Sequence, residues 1–213
     1  MDEGPFVFLV DDDAGIRASL SRALGLRGYT VKAFASAHEF LEAYDPKDSG
    51  CLILDYGMPD MNGLQLQRQL SDEGNRLPVI FVTGHGGVPE SVEAMKMGAV
   101  DFLEKPFKQS VLVERIEVAL EADAQRRVAS QQKSGVRARF QSLTEREREI
   151  AMILTTSPGR NSSKEVARQL GISPRTVDHH RARILEKMNV GTVAELVDAG
   201  YKARLFDESD TQG

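Results

Sequence analysis

Residues 51–63 read CLILDYGMPDMNG. Four apolar residues run without a polar break into Asp55, and a turn-rich segment with Gly57, Pro59 and Asn62-Gly63 follows. So short an unbroken apolar run, bounded by turn residues, reads as a strand buried on both faces, as in a parallel sheet. The same shape recurs on either side. Phe6–Val10 leads into Asp11, Asp12 and Asp13; Val79–Val82 leads into Thr83; Asp101–Leu103 leads into Glu104 and Lys105. Thr30–Phe34 makes the fifth run. Between the runs lie apolar residues at helical spacing, such as Ile16, Leu20 and Leu24, and later Leu64, Leu66 and Leu70. Each repeat takes about 25 residues, the length of a strand with its crossover helix. The first half is therefore α/β: a five-stranded, doubly wound parallel sheet, whose ligand site belongs beyond the carboxyl ends of its strands.

The 213 residues suffice for two domains. A net charge of -5 conceals an asymmetry: residues 1–123 hold 11 basic and 21 acidic side chains, residues 124–213 hold 16 and 11. The acidic half suits a cation and the basic half a polyanion. No apolar run approaches the eighteen or so residues that cross a bilayer, and Met1–Pro5 is acidic, unlike a signal peptide. The expectation is a soluble, cytoplasmic protein with no membrane partner. The single cysteine, Cys51, lies inside an apolar run and reads as a small core residue rather than a redox centre.

After the last crossover helix, near Gln109, the pattern grades into a Gln- and Arg-rich stretch ending at Gly135. We divide the chain into 1–122, a linker over 123–142, a helical domain over 143–206 and a disordered tail over 207–213. The linker is read as a helical extension, with a loose coil as the alternative. From Leu143 the pattern is all-α. Thr144 and Glu147 form a capping box, and Gly171 stops a short helix over 163–170. Ser173 and Pro174 then open a basic helix. Val177, Ile184 and Met188 share its inner face, so Asp178, Ala182 and the basic residues point outward. A short helix, a glycine turn and a capped basic helix form a helix-turn-helix, whose second helix enters the major groove of double-stranded DNA.

The topology gathers the ends of strands one, three, four and five, and with them Asp11, Asp12, Asp55, Thr83 and Lys105. Three carboxylates in one cleft repel unless a cation joins them, and all-oxygen ligation favours Mg²⁺. A carboxylate beside Mg²⁺ is a competent nucleophile toward a phosphoryl group, whose oxygens an ammonium and a hydroxyl can hold. Asp13 reads separately, as the cap of the following helix.

These residues resemble the receiver domain of two-component response regulators over roughly residues 5–122. The motifs LTEREREI, SKEVARQLGISPRTVDHHRARILEKM and TVAELVDAG resemble the LuxR-type helix-turn-helix domain. The whole chain is similar to the NarL/FixJ class, and GHGGVPESVEAMKMGAVDFLEKPF places it nearer the FixJ side. The resemblance implies that Asp55 accepts the phosphoryl group. It implies that Asp12, Asp55 and the main-chain carbonyl of Gly57 ligate Mg²⁺, with Asp11 helping through a water. Thr83 and Lys105 would contact the phosphoryl group, with a cis Lys105–Pro106 bond. Phe102 takes the position of an aromatic switch beside Thr83; a plain core role is its alternative. Lys164, Arg175, Thr176, Arg183 and Lys187 would contact DNA phosphates, and Asp178, His179 and Ala182 would face base edges. His180 is read as a helix-positioning or backbone contact. Implied partners are a sensor histidine kinase, a second copy of the chain when phosphorylated, and RNA polymerase.

Two departures from the family concern Gly57, where a longer polar side chain is frequent, and His85, two residues after Thr83. A third is the long loop over 155–163, whose Arg160 and Asn161 are read as solvated. On this reading the chain is not an enzyme beyond losing its own phosphoryl group. The rivals are a Mg²⁺ phosphatase working through an aspartyl phosphate and a relay protein whose C-terminal helices bind protein.

Overall fold

Strand alternation decides how this fold packs. In the computed structural model, which describes residues 4–84, 88–156 and 162–205, the first half forms five parallel strands. They are β1 (Phe6–Val10), β2 (Thr30–Phe34), β3 (Gly50–Asp55), β4 (Val79–Thr83) and β5 (Asp101–Glu104), in the order β2-β1-β3-β4-β5. Successive side chains on a strand face opposite ways. Phe6, Phe8, Val10, Leu52, Leu54 and Phe81 accordingly meet one layer, formed by α2 (Ala37–Ala43), α3 (Gly63–Asp72) and α4 (Val88–Lys96). Val7, Leu9, Cys51, Ile53, Ile80 and Val82 meet the other, formed by α1 (Ala14–Gly25) and α5 (Gln109–Gln141). Both faces of β1, β3 and β4 are covered, which is why these three strands carry no polar alternation.

The turn after β3 depends on one glycine. A Cβ at Gly63 would lie 2.6 Å from the Asp55 carbonyl oxygen and 2.8 Å from the Phe81 ring. Glycine there lets α3 start directly against the strand end that carries Asp55. Asp13 caps α1, accepting from the amides of Gly15 at 2.7 Å and Ile16 at 3.0 Å. Those two amide bonds, led by the one from Ile16, hold its carboxyl below the usual range.

The chain divides into two compact units, Met1–Arg127 and Val128–Gly213. Leu112, Ile116 and Ala119 of α5 fill the core of the first, and the stripe continues to Asp123, which is 2% exposed. The Asp123 carboxylate accepts from the Gly50 amide at 3.1 Å, from Arg127 Nε at 2.7 Å and from Arg126. Arg127 also donates to the carbonyl oxygens of Lys47 and Asp48. A buried acid on the apolar face of α5 thus ties this helix to the base of β3.

The second unit packs α6 (Glu145–Thr156), α7 (Ser163–Leu170), α8 (Pro174–Met188) and α9 (Val193–Lys202) with the last turns of α5. Its core contains Leu143, Ile150, Leu154, Val166, Val177, Ile184, Met188 and Leu196. Gly171 ends α7 in the left-handed region at φ 65°, and Ser173 caps α8 by accepting from the Thr176 amide at 3.1 Å. The expected positions His85, Arg160 and Asn161, and the tail over 207–213, lie outside the described residues.

Gly63→Ala should destabilise the first unit by about 1–3 kcal/mol, the usual effect of an added methyl group in a full site. Faster hydrogen exchange at the Leu52–Leu54 amides checks this.

Candidate functional site

The ends of β1, β3, β4 and β5 do converge. Parallel register sets Leu54 beside both Val10 and Phe81, Asp55 beside Val82, and Thr83 beside Glu104. The residues that follow β1 and β5 therefore reach the rim where Asp55 ends β3. Lys105 Nζ lies 2.8 Å from Asp11 Oδ2 and 2.8 Å from Asp55 Oδ1. Asp11 is 1% exposed and Asp55 7%, so one ammonium bridges two carboxylates shielded from water. Burial works to strip the proton from Lys105, but the bonds to Asp11 and Asp55 outweigh it, and its pKa rises above the ordinary lysine value.

Backbone groups complete the cluster. Asp55 Oδ2 accepts from the Gly57 amide at 2.7 Å, and Asp11 Oδ1 from the Asp13 amide at 2.9 Å. Arg17 donates to the Asp11 carbonyl oxygen at 2.7 Å. The Lys105 amide donates to the Thr83 carbonyl oxygen at 2.7 Å, and the Lys105–Pro106 peptide is cis. Thr83 is buried and Asp12 is exposed. Phe102 packs edge-on to Tyr56 and tilted against Phe81, half in the core.

Among the described residues, no three His, Cys, Asp or Glu side chains are gathered closely enough to cage a metal ion. The donors that are present do suit a hard cation. Buried Asp55, exposed Asp12 and the exposed main chain at Gly57 are oxygen donors on an open rim. Such a rim fits Mg²⁺, which keeps several of its waters and needs few protein ligands. A Cβ at Gly57 would make only ordinary contact with Asp55 Oδ2, at 3.6 Å. Packing does not demand glycine there; its effect is to leave the approach to Asp55 open.

In the second unit, α8 exposes Arg175, Thr176, Asp178, His179, Ala182 and Arg183, and α7 exposes Lys164. Thr176 Oγ1 lies 2.8 Å from the Ser173 hydroxyl. His180 is half-buried, and its Nδ1 has no hydrogen-bond partner among the described residues. Lys187 stands apart from the other expected phosphate contacts. Its ammonium donates to Glu147 Oε2 at 2.6 Å, and Glu147 is 2% exposed. In this structure Lys187 spends its charge inside the unit, pinning α8 to α6.

Glu147 was legible only as half of a capping box, which the structure contains: Oε2 accepts from the Thr144 amide at 2.9 Å. Its spacing carried a further signal, because it shares a face with buried Ile150, Ala151 and Leu154. An acid on such a face needs a cationic partner. Asp123 on α5 carried the same sign. Burial acts to raise the Glu147 pKa, but the Lys187 bond and those from Thr144 prevail and bring it down from 4.5 to about 2.

Residues 7–117 match the family described as response regulator receiver domain, and residues 141–199 match bacterial regulatory proteins, luxR family. The chain is 42% identical over 192 residues to the transcriptional regulatory protein FixJ of Rhizobium meliloti, covering 90% of this chain and 92% of that one. It is 37% identical over 196 residues to the response regulator protein TodT of Pseudomonas putida F1, covering 92% and 85%. Among solved structures, the response regulator StyR is similar at a TM-score of 0.82 and 40% identity, covering 93% of this chain and 98% of that one. Full-length FixJ from B. japonicum is similar at 0.56 and 36%, covering 96% and 99%.

Because the Glu147 carboxyl is depressed, its stabilisation is complete above its ordinary pKa and disappears as pH falls. We expect the second unit to lose stability between about pH 4.5 and 2. Glu147→Gln should flatten that dependence in an acid titration followed by circular dichroism.

Proposed function

The chain belongs to the two-component response regulators, with a receiver domain and a LuxR-type DNA-binding domain, and on that premise we propose that Asp55 is its phosphoryl acceptor. It is a transcription regulator rather than a classical enzyme, with a kinase and DNA as partners. The observation that carries the Asp55 assignment is the Lys105 ammonium, 2.8 Å from a carboxylate at the end of β3. A carboxylate so placed is buried enough to be oriented and open enough on the Gly57 side to be reached.

The kinase's phosphohistidine gives its phosphoryl group to Asp55. The new group brings negative charge and acceptor oxygens, and Lys105 is within reach to bind them. Thr83, at the end of the neighbouring strand, supplies a hydroxyl. Receiver domains generally bind Mg²⁺ at this acidic site; here Asp12, Asp55 and the Gly57 carbonyl would hold it, with Asp11 behind. Its contribution when bound is to neutralise charge at the phosphoryl oxygens. Phe102, in contact with Tyr56 and Phe81, can repack if Thr83 shifts, and it is the switch residue of this reading.

The output is dimerisation through the face of α4, β5 and α5 over about residues 88–122. Val92 and Met95 on α4 and Val118 on α5 are large apolar residues between 45% and 49% exposed, which supports an interface there. A dimer presents two α8 helices, each with Arg175, Thr176 and Arg183 against phosphates and Asp178, His179 and Ala182 toward base edges. Lys164 adds a contact from α7, while Lys187 must leave Glu147 to join them. We propose the division into receiver, linker and DNA-binding domain at 1–122, 123–142 and 143–206, with residues 123–127 of the linker packed on the first unit and Val136 and Phe140 on the second. RNA polymerase is the machinery on which the bound dimer acts, a reading carried by the family resemblance. Among the described residues no helix is long and apolar enough to cross a membrane, and a DNA target places the work in the cytoplasm.

Acetyl phosphate with Mg²⁺ should raise the affinity of the full-length protein for genomic fragments that it selects by about tenfold or more, within the usual range of such coupling. Asp55→Asn should abolish the gain in a gel shift. An undiminished gain in that variant would place the acceptor elsewhere. Binding should fall steeply with salt, and more steeply for the phosphorylated form, because a dimer displaces more counterions.

A further inference from the structure

Asp178 is a carboxylate on a face that the proposed function brings against DNA. A polyanion repels it, so its presence there calls for a compensating interaction. The structure contains one. The Ser163 hydroxyl, in the first turn of α7, donates to Asp178 Oδ1, and Arg181 donates to the same hydroxyl oxygen at 3.3 Å. Three residues on two helices therefore form a chain that runs from guanidinium to hydroxyl to carboxylate.

The middle link of that chain is itself held in place. Ser162 caps α7 in a capping box with Glu165, so the backbone at Ser163 is locked. The amino end of α7 carries a partial positive charge that favours an adjacent carboxylate. Without a partner, a short side chain on an exposed helix face samples several staggered rotamers. The bond from Ser163 selects one. Among the described residues only Oδ1 takes part in it, and the second oxygen remains to accept from a base. In the major groove, the donor that suits a carboxylate is the cytosine N4 amino group.

We propose that Ser163 is a specificity-determining residue: backed by Arg181, its hydroxyl holds Asp178 in the rotamer that reads one cytosine in each half-site. This rests on the reading of α8 as the helix in the major groove. It adds a role for α7, which does not itself have to reach a base. Ser163 acts through Asp178 and is a positioning residue.

The test is selection from a random DNA library by the full-length protein in acetyl phosphate and Mg²⁺. Wild type, Ser163→Ala, Ser163→Thr and Asp178→Ala are compared. Asp178→Ala should lose the cytosine preference at one position per half-site. Ser163→Ala should weaken that same position by about fivefold or more, the lower end of what one base contact contributes. Its preferences elsewhere and its affinity for non-specific DNA should match wild type. Ser163→Thr keeps the hydroxyl and should keep the preference. If Asp178→Ala loses the position while Ser163→Ala retains it, the positioning role is overturned. A uniform fall at every position and in non-specific affinity for Ser163→Ala also overturns it, since that is the mark of a phosphate contact or a damaged fold. An unchanged preference in Asp178→Ala overturns the base-reading assignment on which the proposal stands. Failure of wild type to select any DNA overturns the proposed function itself.

Discussion

Everything at the receiver rim depends on one ammonium shared by two buried carboxylates. Asp11 and Asp55 come from different strands and would repel each other in a region shielded from water. Lys105, arriving from a third strand, satisfies both. The sheet, the register and the glycine at the head of α3 serve to bring these groups within bonding distance. Two carboxylates against one ammonium leave the site with negative charge in excess, as suits a divalent cation. The same arrangement makes the lysine a detachable partner. A stronger anion at Asp55 would compete directly with Asp11 for its protons.

The second unit contains a buried acid–lysine pair of a different character. Glu147 and Lys187 join α6 to α8, and a helix cap already satisfies the acid from its other side. Nothing at Glu147 invites a ligand, so this pair serves to hold the angle of the exposed helix. Both pairs hold elements together in this structure, the first three strand ends and the second two helices. Removing either lysine leaves buried carboxylates without their counter-ion, which is among the more damaging changes a small domain can suffer.

Most of the architecture was legible because parallel strands with two covered faces leave an unbroken apolar signature. Cys51–Leu54 and Val79–Val82 could hardly be read otherwise. The rim was legible because Asp11, Asp55 and Thr83 follow such runs directly and Lys105 follows one residue later. The caps at Asp13, Thr144 and Ser173, and the stop at Gly171, were fixed by short-range chemistry that a sequence displays. Less was visible where a polar residue interrupts an apolar stripe. Asp123 looked like the start of a polar linker, yet it accepts from Gly50, Arg126 and Arg127 at the base of the sheet. Lys187 looked like one basic residue among several, and only the fold shows Glu147 beneath it. The Ser163–Asp178 bond was hidden for a simpler reason: it joins residues fifteen apart through a turn whose geometry the sequence does not state.

The strand order β2-β1-β3-β4-β5 has a consequence for how the chain is made. From β3 onward, each strand pairs with one synthesised earlier, so the sheet can lengthen at a single edge as the ribosome releases it. The lysine comes on the far side of the last strand. Until it emerges, the two acids at the rim stand without their counter-ion, and its arrival coincides with the addition of the last strand. A nascent receiver therefore cannot acquire its reactive geometry before its sheet is finished.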